Sequence, residues 1–210
     1  MMNKSVLGVV LAGGLATRLG GVDKVLLSLG AQQILDVILE RFVSQVDCLV
    51  INANGDPSRF NNYDYPVIAD TLDGYLGPLA GVLAAMHCAK EKDKKFVASV
   101  AGDTPFFPRN FVNKCLLTIQ QDGTSIGLAA SYNEQRQIWM RQPTFGLWDV
   151  SLASVLECAL INGVRKIVGW TDTIGCSSVR FSRDENGYDP FFNVNTLHDL
   201  MVVQQAFEDK

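Results

Sequence analysis

The feature that most constrains the fold is the alternation of short apolar runs with helical segments over residues 1–121. Apolar runs typical of strands buried on both faces occur at Val6–Leu11, Cys48–Ala53, Val67–Asp70 and Phe96–Ala101. Between them, three- and four-residue periodicity predicts helices over 32–46, 79–90 and 109–121. Repeated strand–helix–strand units predict an α/β fold with a mainly parallel central sheet and helices on both faces.

Beyond residue 122 the predicted elements become shorter. Strands are expected at Ser125–Ser131, Gln137–Met140, Thr144–Trp148, Ser178–Ser182 and Phe191–Val194. Helices are expected over 151–160 and from 196 to 207, with Thr196 as the N-cap of the second. Because neither a linker nor an internal repeat interrupts the pattern, we expect residues 1–210 to form a single domain.

Three informative segments fall at the ends of predicted strands, namely Leu11–Lys24, Asn52 and Gly102–Pro105. In open parallel sheets, ligands bind beyond the carboxyl ends of the strands. We therefore expect these segments, which are remote in sequence, to converge on one binding site.

Composition excludes several classes of protein. The chain has 18 Lys and Arg against 22 Asp and Glu, so it lacks the basic excess of a protein that coats nucleic acid. Its five cysteines are widely spaced, which argues against a disulfide scaffold or a zinc site and favours buried thiols in a reducing compartment. The two histidines, His87 and His198, lie in no zinc-binding motif.

The apolar N-terminal stretch resembles a signal peptide only superficially. Its glycines make a poor apolar helix, and its valines favour a buried strand. No apolar run approaches the ~18 residues that span a bilayer. We therefore expect a cytoplasmic protein that binds neither membrane nor nucleic acid.

A glycine-rich loop follows the first strand and reads L-A-G-G-L-A-T-R-L-G-G-V-D-K over residues 11–24. Glycines allow successive backbone N–H groups to surround an anion. Arg18 and Lys24 add positive charge, so a triphosphate is the expected ligand. The loop matches neither the P-loop nor the dinucleotide-binding pattern. A glycine-rich turn with two solvated cations is the alternative.

Carboxylates and an amide end the other strands. Asp103 directly follows a buried strand and is the best candidate metal ligand, since Mg²⁺ prefers carboxylate and phosphate oxygens. Asp70 and Asn52 also close predicted strands. An Asx-turn or a helix cap before Pro105 is the alternative role for Asp103, and turn formation at a strand end is the alternative for Asp70 and Asn52.

The loop resembles the pattern of nucleotidyltransferases with a Rossmann-like fold, and further segments follow in the order found in one of their families. They are Ile51–Asn54, Ile68–Asp70, Gly77–Gly81, Gly102–Pro105, Gln142–Thr144 and Asn193–Thr196. This ordered set is similar to the molybdenum cofactor guanylyltransferases. It implies one Rossmann-like nucleotidyltransferase domain, with a nucleotide-binding half over 1–121 and an acceptor-binding half over 122–210.

The resemblance also implies which residues form the site. The GTP-binding residues would be Leu11, Ala12, Gly13, Gly14, Lys24, Asn52, Asp70, Gly77, Pro78 and Asp103. The catalytic residues would be Lys24, Arg18 and Asp103, and Asp103 would also bind Mg²⁺. Gln142, Thr144, Asn193 and Asn195 would bind the acceptor.

The implied reaction transfers GMP from GTP to the terminal phosphate of molybdopterin, and proteins that deliver or receive the cofactor would be further partners. Transfer from CTP, or to another phosphate acceptor such as a sugar phosphate, is the nearest alternative. Sugar-nucleotide synthases usually have a proline before the loop lysine, where this chain has Asp23. A nucleotide sensor or cofactor-delivery protein without turnover is the alternative from a different class.

Overall fold

The computed structural model of the protein describes residues 5–13, 23–185 and 187–208. In this part of the chain, seven strands form one sheet: β1 Val6–Leu11, β4 Cys48–Asn52, β5 Val67–Ile68, β6 Phe96–Ala101, β7 Ile126–Asn133, β8 Ile138–Asp149 and β9 Ser177–Phe181. Their order across the sheet is β5-β4-β1-β6-β8-β7-β9. All of them run in one direction except β8, which is antiparallel to both of its neighbours. The predicted α/β class with a mainly parallel sheet is confirmed.

Helices cover both faces of this sheet. They are α1 Ile34–Val43, α2 Pro78–Glu91, α3 Phe111–Asp122, α4 Ala153–Ile161, α5 Ile167–Ile174 and α6 Leu197–Glu208. Short 3-10 helices cover Lys24–Leu26, Pro57–Phe60 and Val150–Leu152, and β2 Ser28–Leu29 pairs with β3 Gln32–Gln33 in a separate hairpin. Among the described residues, no helix is long and apolar enough to cross a bilayer.

The central strand β1 shows how the two faces are filled. Val6 and Val10 pack in the cluster that includes α1 and α3, whereas Leu7 and Val9 pack in the cluster that includes α2, α4 and α5. Each of these four side chains is fully buried. Burial of each side chain of this size stabilises the fold by about 1.5–3 kcal/mol. Strand β1 is therefore held firmly, and its carboxyl end has a fixed position.

Strand β8 differs from its prediction, because one continuous strand replaces the two that were expected on either side of Pro143. The register of β8 against β7 shifts between Leu128 and Ala130, and the pairing of β8 with β6 ends at Gly146. Pro143 therefore lies in a bulged stretch, where its missing N–H interrupts no regular ladder.

The predicted strand Phe191–Val194 is wrong. This segment is a turn followed by irregular chain, in which Phe192 N donates to the carbonyl of Asp189 at 3.1 Å and Val194 N donates to the carbonyl of Asp103 at 2.8 Å. Phe191 and Val194 are buried by tertiary contact rather than by strand pairing, whereas Phe192 is exposed. A short apolar run does not distinguish burial by strand pairing from burial by tertiary contact.

Two helix starts show how local caps set boundaries. Helix α1 begins at Ile34 rather than 32, because Gln33 and Asp36 form a capping box and the preceding glutamines belong to β3. Thr196 caps α6 as predicted: its hydroxyl accepts from Asp199 N at 3.1 Å, and the Asp199 carboxylate accepts from Thr196 N at 2.8 Å.

Candidate active site

A cavity of about 610 Å³ opens at the edge of the sheet where β5, β4, β1 and β6 end. The predicted convergence of strand ends is therefore confirmed. Predicted site residues that line the cavity are Leu11, Ala12, Gly13, Lys24, Asn52, Asp70, Gly77, Pro78, Asp103, Thr144 and Asn193. Gly14 and Arg18 lie outside the described residues.

The end of β1 is held by its neighbour beyond the last regular pair. Ala12 N donates to the carbonyl of Asn52 at 2.9 Å, which keeps β1 and β4 together up to the cavity wall. The backbone at Leu11, Ala12 and Gly13 therefore faces the cavity from a fixed position.

Lys24 and Asp103 meet in this cavity although they are far apart in the chain. Lys24 Nζ donates to Asn195 Oδ1 at 2.8 Å and lies 3.9 Å from Asp103 Oδ2. Their side chains are about one-quarter exposed, at 24% and 25%. A solvent-accessible ammonium beside a carboxylate can bind a phosphate. When no phosphate is bound, the carboxylate offsets the positive charge of the ammonium.

Burial raises the pKa of Asp103, and this effect outweighs Lys24 and a hydrogen bond from Thr104, which both lower it. The Thr104 hydroxyl lies 3.2 Å from Asp103 Oδ1 and 2.6 Å from Asn193 Oδ1, so it connects the carboxylate to the turn that carries Asn193. A partly desolvated carboxylate of this kind is stabilised by a further cation.

The donor set fits a magnesium ion that is bound together with a nucleotide. Asp70 and Asp23, the other carboxylates of the cavity wall, are already engaged by Asn52 and Asn54 and by Arg59 respectively. The described residues contain no cluster of three or more His, Cys, Asp or Glu that could enclose a metal. One available carboxylate suits Mg²⁺, which commonly combines one or two carboxylates with phosphate oxygens and water.

At the β4 and β5 ends, two amides hold a carboxylate. Asn52 Nδ2 donates to Asp70 Oδ1 at 3.0 Å, and Asn54 Nδ2 donates to Asp70 Oδ2 at 2.8 Å. Asp70 N in turn donates to Asn54 Oδ1 at 2.9 Å. These contacts fix the three side chains relative to one another. They are also the hydrogen bonds expected if Asn52 and Asp70 only form a turn at the strand ends, which was the alternative role for these residues.

Asn52 itself is buried, and its position depends on a glycine in helix α2. A Cβ atom at Gly81 would lie 2.2 Å from Asn52 Oδ1, which no real contact allows. Only a glycine in this turn of α2 leaves room for the amide, so the helix and the end of β4 can approach closely.

Helix α2 opens directly onto the cavity. Gly77 has φ 80° and ψ −172°, a conformation that glycine adopts without strain, and Pro78 occupies the first turn. Both residues line the cavity. The N–H groups of this first turn give the wall a partial positive charge, which favours electronegative ligand atoms.

The four predicted acceptor residues differ in their relation to the cavity. Thr144 and Asn193 line the cavity, and Thr144 is fixed by a hydrogen bond from Ser99 Oγ to its carbonyl at 2.9 Å. Asn195 reaches the site through Lys24. Gln142 does not line the cavity, and its side chain donates to Ser131 Oγ at 3.0 Å.

Sequence reasoning missed several residues of the cavity wall, among them Asp23, Asn54, Arg59 and Tyr75. Asp23 could have been predicted, because it directly precedes Lys24 in the sequence. Arg59 lies in a stretch without periodicity that gave no signal, and Tyr75 is 82% exposed at the cavity mouth.

Comparison with known proteins places the chain in a family. A family model described as a MobA-like NTP transferase domain matches residues 8–174. A molybdenum cofactor guanylyltransferase from Mesorhizobium japonicum is 39% identical over 210 residues, which cover 99% of this chain and 98% of the relative. This chain belongs to the molybdenum cofactor guanylyltransferase family.

A second molybdenum cofactor guanylyltransferase, from Haemophilus influenzae, is 35% identical over 199 residues, covering 95% of this chain and 97% of the relative. The structure of molybdopterin-guanine dinucleotide biosynthesis protein A from Archaeoglobus fulgidus superposes with a TM-score of 0.74 at 21% identity, covering 98% of this chain and all of the other, which shows a shared fold. As a member of this family, the chain is a nucleotidyltransferase.

Proposed function

We propose that the protein transfers GMP from GTP to the terminal phosphate of molybdopterin, giving a molybdopterin guanine dinucleotide and pyrophosphate. The meeting of Lys24 and Asp103 in one open cavity, with Asn195 hydrogen-bonded to Lys24, is the observation that supports this most strongly. It brings a cation, a carboxylate and a neutral amide from distant parts of the chain to one point, and family membership supplies the substrate class.

In the proposed reaction, an oxygen of the acceptor phosphate attacks the α-phosphorus of GTP and forms a new P–O–P linkage. The bond between the α-phosphorus and the bridging oxygen breaks, and pyrophosphate leaves with the electron pair. The acceptor phosphate is already anionic, so no protein nucleophile is needed. The protein contributes mainly by positioning and by stabilising charge.

The triphosphate would lie between the backbone of Leu11–Gly13 and the Lys24 ammonium, which is accessible in the cavity. On the sequence resemblance, Gly14 and Arg18 belong to the same phosphate-binding loop. The ammonium of Lys24 would stabilise the charge that develops on the leaving oxygens, as positioned cations do in such transfers.

Asp103 would hold Mg²⁺ together with phosphate oxygens of the substrate. When bound, the ion neutralises phosphate charge and so favours approach of the anionic acceptor. The raised pKa of Asp103 supports this assignment, because a carboxylate that is partly desolvated gains from a nearby cation.

The nucleoside would lie towards Asn52, Asp70, Gly77 and Pro78, where amide, carboxylate and backbone groups are fixed before ligand arrives. The acceptor would approach from Thr144 and Asn193, with Asn195 acting on Lys24 and Gln142 supporting β7. In this arrangement, residues 1–121 would form the nucleotide-binding half and residues 122–210 the acceptor-binding half.

We further propose a cytoplasmic location, with proteins that deliver or receive the cofactor as partners. The five cysteines support a reducing compartment, since all are free thiols. They are not uniformly buried as the sequence suggested: Cys115 is buried, Cys158 is exposed, and the other three lie in between.

The direct test incubates the purified protein with molybdopterin, Mg²⁺ and each of GTP, CTP, ATP and UTP in turn. Pyrophosphate release and the mass of the dinucleotide product are measured. We expect product with GTP only. Product with CTP instead would identify a cytidylyltransferase, and nucleotide binding without any product would identify a sensor or delivery protein.

A further inference from the structure

A short 3-10 helix in the connection from β4 to β5 places an arginine at the cavity wall. This helix covers Pro57–Phe60, and the Asp56 carboxylate caps it by accepting from Ser58 N at 2.9 Å. Phe60 is buried, at 1% exposure, and anchors the helix from the other side. Arg59 therefore has a defined position, although its surroundings in sequence resemble an ordinary loop.

Two contacts of Arg59 join separate parts of the site. Arg59 Nη2 donates to the carbonyl of Asn54 at 2.7 Å, and Arg59 Nε lies 3.1 Å from Asp23 Oδ2. The Nε atom makes no hydrogen bond in the described structure, so charge rather than hydrogen-bond geometry holds it to Asp23. We call these two contacts the Arg59 bridge.

The bridge ends at the residue that begins the turn carrying Lys24. The carbonyl of Asp23 accepts from Leu26 N at 3.0 Å, which starts the 3-10 helix Lys24–Leu26. From this helix, Lys24 reaches Asn195. Displacement of Asp23 would therefore move the backbone from which the lysine side chain extends.

A second contact route connects the same two segments. Tyr63 donates to Gln33 Oε1 at 2.6 Å, and Gln33 Nε2 donates to the carbonyl of Leu26 at 3.0 Å. Burial and, to a lesser degree, Asp36 raise the pKa of Tyr63 to about 12, so it stays protonated and remains a donor. The segment 54–65 thus supports both ends of the Lys24 turn.

We propose that Arg59 is a positioning residue for Lys24. Arg59 fixes the position of Lys24 by holding Asp23, and it does not itself contact the nucleotide. The inference rests on the function proposed above and adds a residue to it. The charge of Arg59 is already balanced by Asp23, and its Nη2 is held by a main-chain carbonyl. A phosphate at Arg59 would have to displace or approach the Asp23 carboxylate, which repels it.

Steady-state kinetics of four variants test this proposal: Arg59→Met, Asp23→Asn, the double variant, and Arg59→Lys. Pyrophosphate release is measured at saturating acceptor with GTP varied. We expect each of the first two to lower kcat by about tenfold to a hundredfold, because small displacements of a catalytic group have effects of this size. KM for GTP should change much less than kcat.

The double variant provides the decisive comparison. If Arg59 acts through Asp23, removing both partners does no more damage than removing either one, so the effects are not additive. Arg59→Lys should restore part of the kcat, since lysine keeps the charge but lacks the forked donor. The matched control is Arg109→Met, which removes the arginine of an exposed pair with Glu40 and should leave kcat unchanged.

A second readout does not depend on turnover. The rate at which an amine-acylating reagent modifies Lys24 is followed by peptide mass spectrometry without nucleotide. Loss of the bridge should change this rate in Arg59→Met and Asp23→Asn, but not in Arg109→Met. Far-UV circular dichroism and Tm identify any variant that fails to fold, and Asp23→Asn and Arg59→Lys then decide the question.

Several outcomes overturn the inference. One is unchanged kcat and unchanged Lys24 labelling in folded Arg59→Met. Another is a raised KM for GTP in Arg59→Met together with a lowered KM for GTP in Asp23→Asn. That result would show that Arg59 binds phosphate directly and that Asp23 weakens this binding. Multiplicative losses in the double variant would also contradict it. By contrast, a wild-type protein that turns over none of the four nucleotides refutes the proposed function itself.

Discussion

At the Lys24 end of the cavity the side chains come from distant parts of the sequence, whereas at the Asn52 end they come from one strand–loop–strand unit. Lys24, Asp103 and Asn195 define the first end, and Asn52, Asn54 and Asp70 define the second. In the second, both amide groups donate to the Asp70 carboxylate, and Asp70 N donates back to Asn54 Oδ1. In the first, Lys24 lies 3.9 Å from Asp103, which leaves both able to engage a ligand.

This difference suggests a division of work between the two ends. A rigid, internally bonded group recognises a ligand of fixed shape without reorganising, which favours binding. A carboxylate and an ammonium that remain accessible act on charge that develops during reaction. We therefore expect substitutions at the Lys24 end to lower kcat and substitutions at the Asn52 end to raise KM for GTP.

The largest effect should follow from Asp103→Asn. Loss of the carboxylate that we propose to hold Mg²⁺ should lower kcat by about a thousandfold, near the upper range for a single electrostatic group. Mg²⁺-dependent pyrophosphate release with GTP and acceptor measures it. Turnover close to wild type would show that Asp103 has no part in the mechanism. The Lys24 end would then lack the carboxylate on which its proposed role depends.

The next largest effect should follow from Lys24→Met. This variant keeps most of the aliphatic side chain and removes the ammonium that contacts Asn195, so kcat should fall by about a hundredfold. The same pyrophosphate assay is used. An effect confined to KM for GTP would show that Lys24 binds ground state and transition state equally, and the contrast between the two ends would disappear.

At the other end, Asp70→Asn should raise KM for GTP by about tenfold with a smaller effect on kcat. The new amide group can no longer accept from both Asn52 and Asn54, and a lost bond to a charged group corresponds to at least this factor. The measurement compares KM for GTP with that for each other nucleoside triphosphate. A fall in kcat at unchanged KM would contradict the division proposed here.

The smallest effect concerns stability. Because the pKa of Asp103 is raised, its ionised form costs free energy in the folded state at pH values above the ordinary aspartate pKa of about 3.9. Asp103→Asn should therefore unfold at a Tm a few degrees higher than wild type at pH 7. Below that ordinary pKa the carboxyl is protonated in both states, so the gain should vanish as pH falls. A lower Tm at pH 7 would show that Lys24 stabilises the carboxylate more than burial penalises it.

The convergence of strand ends could be predicted because it depends on general rules. Buried apolar runs specify β1, β4 and β6, and parallel pairing places their carboxyl ends at one edge. The meeting of Lys24 with Asp103 follows from that topology. Their roles in binding and catalysis came from the resemblance to a family and stay predictions.

The parts that sequence could not predict depend on tertiary contacts without periodicity. The Arg59 bridge arises in a polar connection, where neither strand nor helix pattern marks the residue. Asp23 stood beside Lys24, but its partner could not be found from spacing. Likewise, the apolar residues Phe191 and Val194 suggested a strand, although a turn buries them.

The reversed direction of β8 has a consequence for how acceptors can change within such a fold. Because β8 is antiparallel to β6, the stretch of β8 paired with β6 starts at the cavity edge with Gly146, and Thr144, in the middle of β8, lines the cavity just before it. If Thr144 faces the acceptor as proposed, changes in β8 just before Gly146 would reshape that side of the cavity alone. The side proposed to bind the nucleotide lies at the ends of the parallel strands and would keep its geometry, so a new acceptor could be accommodated without changing it.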